Sequence, residues 1–129
     1  MAIRFPTLED VYRFHTIQIE MYGGSHGVRD AGLIESALFA AQQTFGEFDL
    51  YPSISDKAAA LWHGSVCNHG FIDGNKRIGL MVASVFLNIN GYEMDLTANE
   101  VEKITLDLAS SRMTRQELIE ILTRKVIPL

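Results

Sequence analysis

The sequence lacks several features that would assign it to a specialised class of protein. It has a single cysteine, Cys67, so no disulfide can form within the chain, as expected in a reducing cytosol. Its longest nearly unbroken apolar run, Ile78 to Leu87, is well short of the roughly 20 residues that a transmembrane helix needs. Residues Met1 to Pro6 do not combine a basic stretch with an apolar one, so no signal peptide is predicted. These absences together favour a soluble protein of the cytoplasm.

Positive charge is also scarce. The chain has 11 lysines and arginines against 16 aspartates and glutamates, which gives a formal net charge of -5. The isoelectric point is near 5.3. A domain that binds nucleic acid usually carries a basic surplus, so this balance argues against direct nucleic-acid binding. A local group of cations within an acidic protein instead indicates a small anionic ligand.

What the sequence does have is the composition of an ordinary globular domain. Hydrophobic residues make up 47% of the 129 residues and charged residues 21%, which argues against disorder. The length fits one domain, residues 1–129, with a sizeable hydrophobic core. No internal repeat, linker or low-complexity segment divides it.

Helical periodicity runs through most of the chain and predicts an all-α bundle of about six helices. Most of these segments begin with a capping residue. The predicted helices span residues 7 to about 22, 30–41, 57 to about 68, about 75–90, 97–109 and 114–126. In the third, Ser55 and Asp56 are expected at the start. The helix at 75–90 is apolar nearly all round, which places it at the centre of the bundle. A short strand pair between Phe45 and Tyr51 stays open.

One segment, His69-Gly70-Phe71-Ile72-Asp73-Gly74-Asn75-Lys76-Arg77, leads into this central helix. The N-terminus of a helix carries the positive end of its dipole, so Lys76 and Arg77 there cost about 0.3–1 kcal/mol each relative to neutral residues. A bound anion offsets this cost, because free backbone N–H groups at a helix N-terminus already bind phosphate-sized anions. The segment therefore predicts a phosphate site.

Three polar side chains of this segment each have a functional and a structural interpretation. His69 suits a general base at neutral pH, and it equally suits a cap at the end of the preceding helix. Asp73 offers the hard carboxylate oxygen that the Mg²⁺ of a nucleotide prefers, or it is an N-cap. Asn75 is either an amide ligand or a cap. Because Lys76 and Arg77 have no comparable structural role, the set favours a phosphate site with a base beside it.

Other interpretations of nearby residues are weaker. The segment lacks the glycine spacing of a Walker A loop. His63, His69 and Asp73 do not lie one turn apart on a single helix face, as the two histidines of a zincin do. Cys67 fits a small buried hydrophobe better than a nucleophile. His15 lies on the apolar stripe of the first helix and is predicted to be a hydrogen-bonded core residue.

Residues His69 to Arg77 resemble the signature of the Fic/Doc superfamily: histidine, any residue, phenylalanine, any residue, an acid, a small residue, asparagine, a variable residue and arginine. Lys76 at the variable position is similar to the Doc (death-on-curing) branch of toxins. Adenylyl-transferring Fic enzymes usually carry glycine there and a second arginine at the place that Leu80 occupies here. The Tyr22–Gly24 loop and the helix start at Arg29–Leu38 are also similar to Doc-like toxins, so the resemblance spans most of the chain.

The resemblance implies an all-helical Fic fold that transfers a phosphate-containing group from a nucleotide to a protein hydroxyl. It implies that His69 takes the proton from the target hydroxyl and that Asp73 holds Mg²⁺. The residues that it implies for phosphate binding are Gly74, Asn75, Lys76 and Arg77.

For the Doc branch, the implied reaction moves the terminal phosphoryl group of ATP to a threonine of translation elongation factor Tu and halts translation. Adenylyl transfer by the same residues is the alternative, and it demands that Lys76 leave room for the α-phosphate. A non-enzymatic nucleotide- or protein-binding module is a second alternative. Many Fic proteins carry a self-inhibitory helix with its own sequence pattern. The segment Thr16–Met21 matches that pattern only in part, because Met21 departs from it. Inhibition is therefore expected in trans, from the tail of a small antitoxin that folds on binding.

Overall fold

The computed structural model of the chain describes residues 2–129 as a mostly helical fold. Its helices are α1 (Leu8–Tyr22), α2 (Ala31–Ala40), α3 (Ile54–Cys67), α4 (Asn75–Ile89), α5 (Ala98–Ala109) and α6 (Arg115–Lys125). Its short strands are β1 (Thr44–Phe45), β2 (Phe48–Asp49), β3 (Tyr92–Met94) and β4 (Val126–Pro128). The predicted bundle of about six helices is confirmed. Within the described residues, no helix has both the length and the apolar character needed to cross a membrane.

Most helices begin at a side chain that accepts a hydrogen bond from the first turn, which explains why their starts are visible in the sequence. These N-caps are Thr7, Asp30, Ser53, Thr97 and Thr114. The start of α3 corrects the prediction, because the helix begins at Ile54 and not near Lys57. Its capping box joins Ser53 to Asp56, whereas Ser55 has no acid three residues further on.

The core is centred on the contact between α3 and α4. Every residue from Lys57 to Trp62 is buried in α3, and α4 buries Ile78, Val82 and Phe86. One cluster of buried apolar side chains contains members of all six helices. The helix at 75–89 is therefore central, as predicted, and α3 shares that position, since it contacts α2, α4, α5 and α6.

The segment between α2 and α3 contains the strand pair that the sequence left open. Strands β1 and β2 form an antiparallel hairpin in which Thr44 lies opposite Asp49. Lys57 of α3 is buried, and its Nζ lies 3.2 Å from the Asp49 carboxylate and donates to the carbonyl of Tyr51. Because a buried ammonium group is stable only when it is paired, this contact fixes the hairpin against α3.

The sequence did not predict a second antiparallel pair. Strand β3 follows α4, and it pairs with β4 so that Met94 lies opposite Val126. The last helix was expected to reach Val126, but that residue is extended, with φ -85° and ψ 124°. Three-residue strands are too short to show alternation of polar and apolar residues, which is why the pattern gave no signal.

A glycine in α4 allows the two central helices to approach closely. A Cβ on Gly79 would lie 2.5 Å from Val66 Cγ2 and 3.2 Å from the carbonyl oxygen of Trp62, and both atoms belong to α3. In α3, by contrast, a Cβ on Gly64 would meet Ala37 at an ordinary contact distance of 3.4 Å. The close approach at Gly79 therefore positions the start of α4 beside the end of α3.

We expect Gly79→Ala to lower the free energy of unfolding by about 1–3 kcal/mol, because overpacking of the core outweighs the gain in helix propensity of about 1 kcal/mol. Gly64→Ala is the matched control, since it has the same propensity gain without the clash. It should be as stable as the wild type or more stable. Urea denaturation measures both variants, and a Gly79→Ala protein as stable as Gly64→Ala would contradict this packing.

Candidate active site

The segment that the sequence singled out forms a tight loop between α3 and α4. Two of its residues have left-handed backbone conformations, His69 with φ +51° and Gly74 with φ +79°. That conformation costs a residue other than glycine roughly 1–2 kcal/mol, so neighbouring contacts must hold His69. Arg29, which precedes α2, supplies them. Its Nε donates to the His69 carbonyl at 2.7 Å and its Nη2 to the Asn68 carbonyl at 3.3 Å.

The His69 imidazole is free of the capping role that the sequence left open. The C-cap of α3 is Asn68, whose N–H donates to the carbonyl of Gly64, and Arg29 covers the carbonyls that follow. The imidazole is exposed on a groove and has no hydrogen-bond partner among residues 2–129. It is therefore available to take a proton from a group bound in that groove.

The Asp73 carboxylate is exposed and is oriented by two backbone N–H groups. Gly74 donates to Oδ1 at 2.8 Å, and Ser25 donates to Oδ2 at 3.1 Å. A Cβ on Gly24 would lie only 2.7 Å from Oδ2, so the glycine-rich loop after α1 packs directly against the carboxylate. The sequence showed only that this loop is similar to one in Doc-like toxins, and the contact with Asp73 is a role that its glycine spacing did not predict.

The same carboxylate fits a single Mg²⁺ bound together with a phosphate ligand. Each Asp73 oxygen accepts one hydrogen bond and retains a free lone pair. No group of three His, Cys, Asp or Glu side chains comes together in the described part of the chain. Mg²⁺ commonly takes only one or two protein carboxylates and completes its shell with phosphate oxygens and water, so one aspartate is sufficient.

Helix α4 begins without a side-chain cap among residues 2–129, and its N-cap is Gly74. Its first backbone N–H groups therefore have neither an intrahelical acceptor nor a capping side chain. Lys76 and Arg77 are exposed in the first turn, where no acid accompanies them. The Arg77 guanidinium lies 4.8 Å from the centre of the Tyr22 ring of α1, a cation–π contact that restrains it. This helix start has the features of an anion site.

Asn75 has a role that the sequence did not predict. Its Oδ1 accepts from the N–H of Phe71 at 3.1 Å, and its Nδ2 donates to the carbonyl of Phe71 at 3.0 Å. The side chain is thus used to close the loop rather than to cap the helix. What Asn75 offers an anion is its backbone N–H in the first turn of α4.

Helix α1 supports the loop from behind. His15 is 3% exposed, its ring stacks on Phe71 with centroids 3.8 Å apart, and its Nε2 lies 2.7 Å from the carbonyl oxygen of Asp73. Because a carbonyl only accepts, Nε2 carries the proton. Gln18, on the same face of α1, donates to the carbonyl of Arg77 at 3.0 Å. The prediction of a hydrogen-bonded core histidine is confirmed. The shared face of His15 and Gln18 is the only sequence signal for this support.

The loop faces an open groove of about 800 Å³. His69, Asp73 and residues 74–77 line one side of it, and α5 lines the other. Pockets of about 300–1,000 Å³ are typical of small-molecule sites. The structure thus brings all the predicted site residues to one cavity.

His63 and Cys67 take no part in this cavity. Arg115 of α6 lies between His63 and Tyr51. Its Nη2 is 3.2 Å from His63 Nδ1, and its Nη1 donates to the Tyr51 hydroxyl at 2.8 Å. Burial, and then the charge of Arg115, lower the pKa of His63. Burial raises the pKa of the Cys67 thiol, so it is protonated at neutral pH and is a poor nucleophile. The sequence predicts that Cys67 is a small buried hydrophobe rather than a nucleophile; the residue is half-buried, and its raised pKa agrees with the second part of that prediction.

These features define a helical domain with an exposed, uncapped helix start that suits an anion. The sequence model of the Fic/DOC family matches residues 5–87, and the chain belongs to that family. It is 38% identical over 91 residues to Toxin Doc of Mycolicibacterium smegmatis (strain ATCC 700084 / mc(2)155), and the aligned region covers 69% of this chain and 70% of the relative. It is 26% identical over 116 residues to Protein kinase doc of Escherichia phage P1, which covers 90% of each. The predicted family is confirmed.

We expect His15→Phe to accelerate amide hydrogen exchange in residues 71–77. The variant keeps an aromatic ring on Phe71 but leaves the Asp73 carbonyl without its donor, at a cost of about 1–3 kcal/mol. Thr16→Val is the matched control, because it removes a side-chain hydrogen bond to the Tyr12 carbonyl within α1 and touches no motif residue. Unchanged exchange in the His15 variant would show that α1 does not hold the loop.

Proposed function

We propose that this chain is a Doc-like toxin that transfers the terminal phosphoryl group of ATP to a protein hydroxyl, with Mg²⁺ as cofactor. One observation carries the proposal: the uncapped start of α4, with Lys76 and Arg77, shares a groove with the free imidazole of His69. The names of the relatives, Toxin Doc and Protein kinase doc, support a toxin that is a transferase.

The groove offers what phosphoryl transfer requires, which is chiefly positioning and charge stabilisation. The N–H groups at the start of α4, with Lys76 and Arg77, bind the phosphate oxygens on which charge is concentrated. His69 accepts the proton of the target hydroxyl while the hydroxyl oxygen forms a bond to the γ-phosphorus. The bond between that phosphorus and the oxygen of the leaving ADP breaks. When bound, Mg²⁺ supplies further charge neutralisation, and Asp73 is the residue that would hold it.

The target in this proposal is a threonine of translation elongation factor Tu, so that the reaction takes place in the cytoplasm and halts translation. The resemblance of residues 69–77 to the Doc branch supports this target. The open groove supports it as well, because an exposed hydroxyl on the surface of a folded protein can reach an exposed imidazole.

Lys76 and Leu80 favour phosphoryl transfer over adenylyl transfer. Lys76 matches the Doc branch, and Leu80 stands where adenylyl-transferring relatives usually carry a second arginine. In this chain Leu80 lines the groove. The groove surface beyond the first turn of α4 is therefore apolar at that position and offers no second cation to a phosphate chain. The exposed set of His69, Asp73 and the two cations argues against a binding module without activity.

The proposal also includes a small antitoxin that inhibits in trans. In α1, Glu20 holds the place of the glutamate in the partial self-inhibitory pattern, and it is exposed and outside the residues that line the groove. The chain therefore has no acid from α1 that could displace a phosphate. The relative named Toxin Doc supports an inhibitor carried by a separate chain.

We expect label from γ-labelled ATP to appear on elongation factor Tu, and His69→Ala to abolish it because the proton acceptor is lost. His26→Ala removes an exposed histidine outside the groove and should retain the activity. Autoradiography and intact-mass measurement of the factor follow the reaction. Label from α-labelled ATP would replace the kinase proposal by adenylyl transfer, and no label from either nucleotide would reject elongation factor Tu as the target.

We expect Asp73→Asn to raise the Mg²⁺ concentration for half-maximal labelling at least about tenfold, because the variant loses the charge that binds a hard cation. The amide oxygen keeps one of the two backbone hydrogen bonds, and the other, from Ser25 or Gly74, is lost because the amide nitrogen only donates. Asp107→Asn is the control, since that carboxylate pairs with Lys103 at 3.0 Å and does not line the groove. An unchanged Mg²⁺ requirement in the Asp73 variant would contradict the proposed metal ligand.

A further inference from the structure

The groove has a second wall, which none of the motif residues forms. Leu96, Val101, Glu102 and Thr105 line it on α5 or just before that helix. The whole groove measures about 800 Å³, a volume in the upper part of the range of about 300–1,000 Å³ seen for small-molecule binding pockets. The phosphates of a nucleotide would occupy only the part beside the motif, so the rest of the groove has room for the remainder of the molecule.

The direction of the groove follows from the contacts of α5. Cys67 Sγ lies 3.6 Å from the carbonyl oxygen of Leu108, so the C-terminal end of α5 lies beside the end of α3, next to His69. The N-terminal end lines the groove together with Leu80, which is about one turn further along α4 than Lys76. The groove therefore runs from the motif towards the start of α5.

The chemistry of the groove changes along this direction. Near the motif it is cationic, and at the far end its wall is apolar, with Leu80, Leu96 and Val101. Glu102 is the one acid that α5 contributes to the lining. Its side chain is exposed and has no ion pair or hydrogen-bond partner within residues 2–129.

We propose that the α5 wall binds the nucleoside half of the nucleotide, with Glu102 accepting hydrogen bonds from the ribose hydroxyls. An ionised carboxylate only accepts, and its two oxygens match the two adjacent donors of a ribose. Dinucleotide-binding folds use an acid for the 2′-hydroxyl in the same way. The apolar wall formed by Leu80, Leu96 and Val101 suits the face of the base.

The charges of the groove orient the nucleotide. Lys76 and Arg77 attract the phosphates, and Glu102 repels them, so the phosphates lie at the motif and the ribose lies against α5. A peptide segment would also fit an apolar wall. It has no pair of adjacent hydroxyl donors to match the two oxygens of Glu102, as a ribose has. Continuity with the phosphate site and the single unpaired acid both favour the nucleoside. This inference depends on the proposed function for its phosphate end.

Binding of ATP, 2′-deoxy-ATP and inorganic tripolyphosphate by calorimetry tests this inference. The wild type should bind ATP about tenfold more tightly than 2′-deoxy-ATP, the size expected for one hydrogen bond to a charged group. Glu102→Ala should remove this preference and leave the affinity for tripolyphosphate unchanged or slightly higher, because the variant keeps the phosphate site and loses a repelling charge; retained binding also shows that the variant is folded. Glu120→Ala, on the exposed side of α6 and outside the groove, should keep the preference.

The outcomes separate this inference from the proposed function. A wild type that binds neither ATP nor tripolyphosphate would overturn the phosphate site and the proposed function with it. Binding of ATP without any preference over 2′-deoxy-ATP would overturn the nucleoside wall alone. An effect of Glu102→Ala on the KM for the protein target, with nucleotide affinity unchanged, would also overturn it and would indicate that a peptide segment occupies the wall.

Discussion

The start of α4 is the constraint on which the arrangement of the site depends. The other five helices satisfy their first N–H groups with a Ser, Thr or Asp side chain, whereas α4 starts at Gly74 without a side-chain cap within residues 2–129. Its first turn adds Lys76 and Arg77 to an end that the helix dipole already makes positive. The fold accepts this unfavourable end because the rest of α4 is fixed by Ile78, Val82 and Phe86 in the core.

The loop before α4 is held by contacts from three separate parts of the chain. Arg29 donates to the carbonyls of Asn68 and His69 at the start of the loop, and His15 of α1 donates to the Asp73 carbonyl. The Asn75 side chain closes the loop through hydrogen bonds to the Phe71 backbone. Strained backbone at a functional site persists only when its surroundings determine it in this way. His69 is the strained residue, and its backbone is fixed while its imidazole stays free. This arrangement gives the imidazole a defined position and leaves both of its nitrogens available for hydrogen bonds.

The sequence predicted those features whose cause is local. Capping residues and helical periodicity identified the six helices, and two cations at a helix start indicated the candidate site. Features that depend on distant residues were missed or incomplete. The β3–β4 pair joins residues far apart in the chain. Helix α3 is as central as α4 because its small buried alanines let neighbouring helices approach. The Asn75 side chain bonds Phe71, only four residues away, but that bond depends on the shape of the loop, which distant contacts of Arg29 and His15 fix. None of these has a periodicity to detect.

Phosphoryl transfer and adenylyl transfer would use the same motif, so the motif alone does not separate them. Either transfer needs a base at His69 and an anion site at the start of α4, and they differ in which phosphate lies beside the base. That depends on the direction in which the nucleotide enters the groove. Away from the motif, charge and apolar surface influence the direction in which the nucleotide lies. Leu80 offers no cation to a phosphate chain, and the carboxylate of Glu102 on α5 repels a phosphate chain. If the proposed nucleoside wall binds the ribose, it selects the phosphate that lies beside His69, and its influence on the reaction is then comparable to that of Lys76.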